Sequence, residues 1–271
     1  MSKACHCGGH GRCRKLLPYA GGKSLLAPKL VKLMPPHQCY VEVFGGGAAL
    51  LAAKDPGASK IEVLNDLDGR LTTLYRVAKA HPEALELELS LQLRSRRDYR
   101  EFRDQPGLTD VQRAARYLFL LRNTFAKRLS FDSFGYGTTG GGGGAGSTPR
   151  VLLGMVWRIF ERLERVTIEN LDFEELLRRY DRPHTFFYCD PPYLVPTQPY
   201  VCKMDLAGHE RLARCLAGLK GKWVLSLNDC PTARRLYRGF RIERVQVRYG
   251  ISREKSRQQI GRELLIRNYR L

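Results

Sequence analysis

A short β-rich run, Tyr40 to Phe44, stops at three consecutive glycines, Gly45-Gly46-Gly47, and a helical segment begins near Ala48. The next apolar run, Ile61 to Leu64, ends at Asn65-Asp66, and helical spacing follows through Leu71, Leu74 and Val77. Upstream, Leu25, Leu26, Leu30, Val31 and Leu33 repeat at helical spacing until Pro35-Pro36 stops them. The alternation resumes late in the chain with strand-like runs at Val166 to Ile168, Phe186 to Cys189, Trp223 to Leu227, Ile242 to Val247 and Leu264 to Ile266. Strands alternating with helices, with glycines at strand ends, predict an α/β fold around a parallel, doubly wound, Rossmann-like sheet.

Between these two stretches the pattern changes. From about Pro82 to Leu121 the chain reads as consecutive helices, with Thr109-Asp110 capping Val111 to Leu121, and helix returns at Val151 to Leu163. The segment between contains Gly140-Gly141-Gly142-Gly143-Gly144-Ala145-Gly146, which has no side chains to offset its ordering entropy and is expected to be mobile. The predicted organisation is a Cys/His-rich tail over 1–14, an α/β domain over 15–81 and 166–271, and a helical insertion over 82–165 with a mobile loop at 135–150.

Lys and Arg number 46 against 27 Asp and Glu, a net charge of +19, and no acid precedes Glu42. Such a field attracts polyanions, and arginine's planar fork suits phosphates. Nucleic acid is the expected partner, with a solvated basic surface or an acidic protein as the alternatives. No apolar run approaches the roughly 20 residues that span a bilayer, and no signal peptide is read at the N-terminus. No membrane role is therefore expected, and the protein is read as intracellular. Eight cysteines in such a chain argue against a disulfide framework. Cys5, His6, Cys7, His10 and Cys13 crowd together at the start, but no second CxxC pair completes a zinc spacing. No metal is expected; Cys5, Cys7, His10 and Cys13 are the candidate ligands, set against a frayed tail.

The sharpest chemical signal is Asp190-Pro191-Pro192-Tyr193, directly after the apolar run Phe186-Phe187-Tyr188-Cys189. An acid at the carboxyl end of a buried strand lies where open α/β sheets place their ligands. The prolines fix the backbone and carry no N–H of their own. The combination suits an amine whose lone pair is delocalised, such as that of adenine. The Asp190 carboxylate and the Pro191 carbonyl can both accept its protons, and Tyr193 can stack on a base swung out of a duplex. The bland reading is an acid-capped turn with a packing tyrosine. Glu42 to Ala48 is a turn whose backbone amides can approach a ligand. Asp66, ending the next strand, can accept hydrogen bonds from ribose hydroxyls or cap the following helix.

Together these segments resemble the Dam-type DNA adenine N6-methyltransferases, over most of the chain. Pro18-Tyr19-Ala20-Gly21-Gly22-Lys23 looks like the family's N-terminal cofactor motif, with Tyr19 where tryptophan is common. Glu42 to Ala48 matches the glycine-rich cofactor motif, with Ala48 replacing its second glycine. Asn65-Asp66 matches the ribose segment, Leu171-Asp172-Phe173 the segment that meets the cofactor's adenine, and Asp190 to Tyr193 the catalytic motif. Leu225 to Asp229 and Arg248-Tyr249 look like motifs bordering the target-base pocket. The order of motifs is that of the alpha group of amino-methyltransferases.

The resemblance implies a site-specific DNA adenine-N6 methyltransferase that uses S-adenosyl-L-methionine and flips its target adenine. Its implied catalytic residues are Asp190, Pro191, Pro192 and Tyr193. Its implied cofactor residues are Tyr19, Gly22, Lys23, Glu42, Phe44, Gly45, Gly46, Gly47, Asp66, Asp172, Phe173 and Asp190. It casts the insertion as a target-recognition element, in which Arg122-Asn123-Thr124-Phe125-Ala126-Lys127-Arg128 resembles the start of the family's DNA-reading loop. Arg122, Asn123, Lys127, Arg128 and Arg150 are the candidate contacts to double-stranded DNA. The insertion from Arg94 to Arg165 holds 14 basic and 7 acidic side chains, a suitable balance for that task. A cytoplasmic, nucleoid-associated setting and a cognate restriction endonuclease fit this reading. The alternatives are an RNA adenine or DNA cytosine-N4 methyltransferase, or a catalytically inactive DNA-binding relative. A nucleotide-binding dehydrogenase is disfavoured because no GxGxxG follows Gly45.

Overall fold

The computed structural model describes residues 16–19, 23–124, 131–132, 134–135, 149–194, 204–249 and 259–270. Its strands are β1 (Cys39–Glu42), β2 (Ile61–Asn65), β3 (Val166–Glu169), β4 (Thr185–Cys189), β5 (Lys222–Asn228), β6 (Arg241–Tyr249) and β7 (Gln259–Arg267). They form one sheet in the order β3-β2-β1-β4-β5-β7-β6. Successive side chains in a strand point to opposite faces, and this period sorts the core into two layers. Tyr40, Leu64, Phe186, Tyr188 and Val224 enter one apolar cluster. Their neighbours Val41, Val63, Phe187, Cys189 and Trp223 enter the other. A strand buried on both faces reads as a continuous apolar run, which is why Phe186 to Cys189 is legible in the sequence.

The first layer is covered by α1 (Ala27–Leu33), α2 (Ala49–Ala53) and α3 (Gly69–Ala80), the second by α8 (Phe173–Tyr180), α9 (Leu206–Ala217) and α10 (Pro231–Leu236). The segment between β2 and β3 adds α4 (Pro82–Ser90), α5 (Arg96–Asp104), α6 (Asp110–Asn123) and α7 (Pro149–Leu163). At the start of α6 the Thr109 hydroxyl accepts from Gln112 N–H at 3.2 Å while the Gln112 side chain accepts from Thr109 N–H at 3.4 Å. This reciprocal capping box realises the cap expected at Thr109-Asp110. Leu118 of α6 and Ile159 of α7 belong to the same apolar cluster as the sheet residues Leu64 and Tyr188. The helical segment is thus continuous with the core.

One expectation needs correction. The sheet is not parallel throughout, because β7 runs antiparallel to both β5 and β6. Only residues 250–258 separate β6 from β7, fewer than the dozen or so that a parallel crossover needs.

Residues 1–14, with Cys5, Cys7, His10 and Cys13, lie outside the described residues, as does most of the glycine-rich loop expected at 135–150. Among the described residues, no group of three His, Cys, Asp or Glu side chains is arranged to hold a metal ion. No helix among them is long and apolar enough to cross a membrane.

Candidate active site

From β1 the chain proceeds to β2 and β3 on one side, while β4 and β5 lie on the other, so a crevice opens beyond the carboxyl ends of β1 and β4. The turn after β1 forms its floor. Gly46 has φ +48°, a left-handed conformation that glycine adopts at little cost, and Ala48 at φ +50° holds the same conformation with a methyl group. A Cβ on Gly45 would come within 2.9 Å of the Asn65 carbonyl, and one on Gly47 within 2.9 Å of the Leu17 carbonyl. The three glycines therefore answer to different demands, one conformational and two steric.

Asn65 ties three strand ends together. Its amide donates to the Val43 carbonyl at 2.9 Å and the Leu171 carbonyl at 3.1 Å, and its oxygen accepts from Leu171 N–H at 2.8 Å. Beside it, Asp66 accepts from Gly46 N–H at 2.8 Å and Asp68 N–H at 2.9 Å. Burial pushes its carboxyl up to about 6 despite those two bonds. Asp68, not Asp66, caps α3 by accepting from Arg70 N–H. The far wall is aromatic: the Phe44 and Phe173 rings lie 5.9 Å apart, with the Arg211 guanidinium 4.3 Å from the Phe173 centroid. Arg211 also pairs with Asp172 at 2.7 Å, while Asp172 caps α8 through Glu174 N–H.

At the end of β4 stands a buried charged group. The Lys23 ammonium lies 3.0 Å from Asp190 Oδ1 and donates to the Tyr193 hydroxyl at 2.6 Å. That hydroxyl donates to Glu263 Oε1 at 2.9 Å, and Ser226 Oγ donates to Asp190 Oδ1 at 2.9 Å. Burial opposes the charge on Lys23, but the carboxylates of Asp190 and Glu263 more than offset it and hold its pKa above the usual lysine value. Burial pushes the Asp190 carboxyl up against the opposing pull of Lys23 and Ser226. Glu42 is pushed up to about 8 by burial, although Tyr40 O–H and Leu51 N–H both donate to it.

A cavity of about 400 Å³ joins these parts, within the range of small-molecule sites. Of the residues expected at the cofactor, Tyr19, Lys23, Glu42, Phe44, Gly45, Gly46, Gly47, Asp66, Asp172, Phe173 and Asp190 all line it. Gly22 lies outside the described residues. Pro191 and Pro192 line the same cavity, and Tyr193 joins it through Lys23.

The expected DNA contacts are not gathered in this way. Arg122 is half-buried at the end of α6. Asn123 is 1% exposed, donates to the Phe119 carbonyl at 2.8 Å and accepts from Arg94 Nε at 3.3 Å, so it faces inward with its polar atoms satisfied. Lys127 and Arg128 lie outside the described residues, as does the side chain of Arg150.

Sequence reasoning passed over Arg211, Met204, Asp205 and Gly208, which line the cavity from α9 and the segment before it. It also passed over Glu263, whose only local signal is an acid opening the apolar run Leu264 to Ile266. Ser226 lies in a segment named only as a neighbour of the target pocket.

A family described as D12 class N6 adenine-specific DNA methyltransferase matches residues 19–251. A type II methyltransferase of Lactococcus lactis subsp. cremoris is 28% identical, over 94% of this chain and 95% of its own length. A DNA N-6-adenine-methyltransferase of Escherichia phage P1 is 26% identical over 93% of this chain, which spans only 35% of that longer protein. The chain belongs to the D12 class of N6 adenine-specific DNA methyltransferases, and is an enzyme that methylates adenine in DNA.

Proposed function

We propose that the Asp190 corner receives an adenine flipped out of double-stranded DNA, and that the adjoining cavity holds the S-adenosylmethionine implied by the family. The observation that carries this reading is the meeting of Asp190, Lys23, the glycine turn and Asp66 around a single cavity. Its fittings suit the cofactor: aromatic walls at Phe44 and Phe173 for a purine, and Asp66 as an acceptor for ribose hydroxyls. When bound, the cofactor supplies an electrophilic methyl on a sulfonium.

The protein's own residues prepare the amine. Asp190 and the Pro191 carbonyl accept from its two protons, which pulls the nitrogen toward pyramidal geometry and frees its lone pair. The raised carboxyl of Asp190 suits it to accept the proton that the methylated nitrogen must lose. Lys23 and Ser226 keep Asp190 Oδ1 in place. Tyr193 offers its ring as a stacking surface for the extruded base. Positioning is the main contribution of the chain.

Arg122, Lys127, Arg128 and Arg150 are proposed to contact the duplex from the insertion, supported by the basic charge of that segment. The type II name of the Lactococcus lactis relative supports a role beside a cognate restriction endonuclease, acting in the cytoplasm on nucleoid DNA. The test is transfer of labelled methyl from S-adenosylmethionine to duplex DNA, with structured RNA as the comparison. Asp190→Ala is expected to lower the rate on duplex DNA by at least about 100-fold. Wild-type transfer by that variant would refute the mechanism.

A further inference from the structure

Glu263 is a carboxylate inside a strand whose next three residues, Leu264, Leu265 and Ile266, are fully buried. It is itself 1% exposed, and burial pushes its pKa up, with Lys23 opposing the shift and Asp190 reinforcing it. The sheet has no use for this charge, because β7 pairs with β5 and β6 through its backbone. A buried carboxylate in such a place is costly unless it is paired and hydrogen-bonded. Its Oε1 accepts from the Tyr193 hydroxyl at 2.9 Å and lies 3.7 Å from the Lys23 ammonium. Its Oε2 is buried with no hydrogen-bond partner among the described residues. Its side-chain contacts thus point toward the Asp190 corner.

We propose that Glu263 is a positioning residue for methyl transfer, anchoring the Tyr193 ring and sharing the Lys23 ammonium with Asp190. The prolines before Tyr193 fix its backbone but leave its side-chain torsions free. A hydroxyl held between the Lys23 cation and the Glu263 anion removes that freedom at the far end of the ring. The ring is then pre-set for the base, and Lys23 is drawn between two carboxylates rather than collapsing onto one. The inference rests on the reading of Asp190 to Tyr193 as the target-base corner.

A double-mutant cycle in the full chain tests it, with kcat and KM for duplex DNA and for S-adenosylmethionine measured alongside thermal melting. Glu263→Ala is expected to lower kcat by about 100-fold, the scale of a small misplacement of reacting groups, with KM for the cofactor little changed. Glu263→Gln keeps an acceptor for the Tyr193 hydroxyl and should recover most of that loss. Tyr193→Phe removes the anchoring hydroxyl, so adding Glu263→Ala to it should cost clearly less than Glu263→Ala costs alone. Losses that multiply independently, or a wild-type kcat for Glu263→Ala, would overturn the proposal. Should Glu263→Ala fail to melt cooperatively, the same cycle with Glu263→Leu, which fills the space without offering an acceptor, decides. A dead Asp190→Ala beside a fully active Glu263→Ala would sink this inference alone, whereas an active Asp190→Ala would sink the reading beneath it.

Discussion

Both oxygens of Asp66 are engaged by backbone before any ligand arrives, one by Gly46 N–H and the other by Asp68 N–H. The residue therefore shapes the glycine turn as well as facing the cavity. Its carboxyl, lifted to about 6 by burial, titrates well above the ordinary aspartate value of about 3.9. The folded chain binds this proton more readily than the unfolded one. Its contribution to stability is fully present below about pH 3.9 and lost as pH rises through 6. Cofactor binding should run the opposite way, because a protonated oxygen becomes a donor and the carboxyl loses acceptor capacity. Affinity for S-adenosylmethionine, measured by calorimetric titration, is expected to weaken between pH 7 and pH 5. Asp66→Asn is expected to bind weakly at both values and to show no such trend. A wild-type affinity constant across that range would contradict the assignment.

At the scale of elements, α6 shows what local sequence specifies well. Thr109 and Gln112 satisfy each other's backbone donors, and the helix begins where the capping pattern says it must. Thr109→Ala should cost about 1 kcal/mol, read as a lower urea midpoint with an unchanged slope, and should leave cofactor affinity alone because the cap is exposed. The strand ends were equally legible, since Asn65-Asp66 and Asp190 each follow an apolar run and the run Tyr40 to Phe44 stops at three glycines. What local sequence did not carry was direction and distance. The apolar pattern at Leu264 to Ile266 marks a strand without saying that it enters antiparallel between β5 and β6. Glu263 therefore could not be placed beside Tyr193, although the contact is direct. Asn123 is a related case: an amide in a basic segment looks available, whereas packing bonds it to Phe119 and Arg94. Likewise Arg211 reads as one more surface cation until α9 brings it over Phe173.

Across the whole molecule, the insertion is bound to the sheet by a buried ionic group as well as by apolar packing. The Arg162 guanidinium of α7 meets both oxygens of Glu62 on β2 at 2.7 Å, and Lys54 reaches the same carboxylate at 2.8 Å. Arg162 also donates to the Leu51 carbonyl at 3.0 Å, which brings α2 into the same seam. One carboxylate thus serves two cations, and removing it would leave both without their shared counter-charge. Breaking a buried pair from one side costs about 3–5 kcal/mol, so Glu62→Ala is expected to lower stability by that order in chemical denaturation. The form of the transition matters as much as its midpoint. Leu118 and Ile159 of the insertion share an apolar cluster with Leu64 and Tyr188 of the sheet, so loss of the ionic group should not release the insertion as a separate unit. A single unfolding transition is expected in the variant, with far-ultraviolet circular dichroism and tryptophan fluorescence coincident, since Trp157 reports on the insertion and Trp223 on the sheet. Two separated transitions would mean that Glu62, rather than the apolar layer, joins the insertion to the sheet.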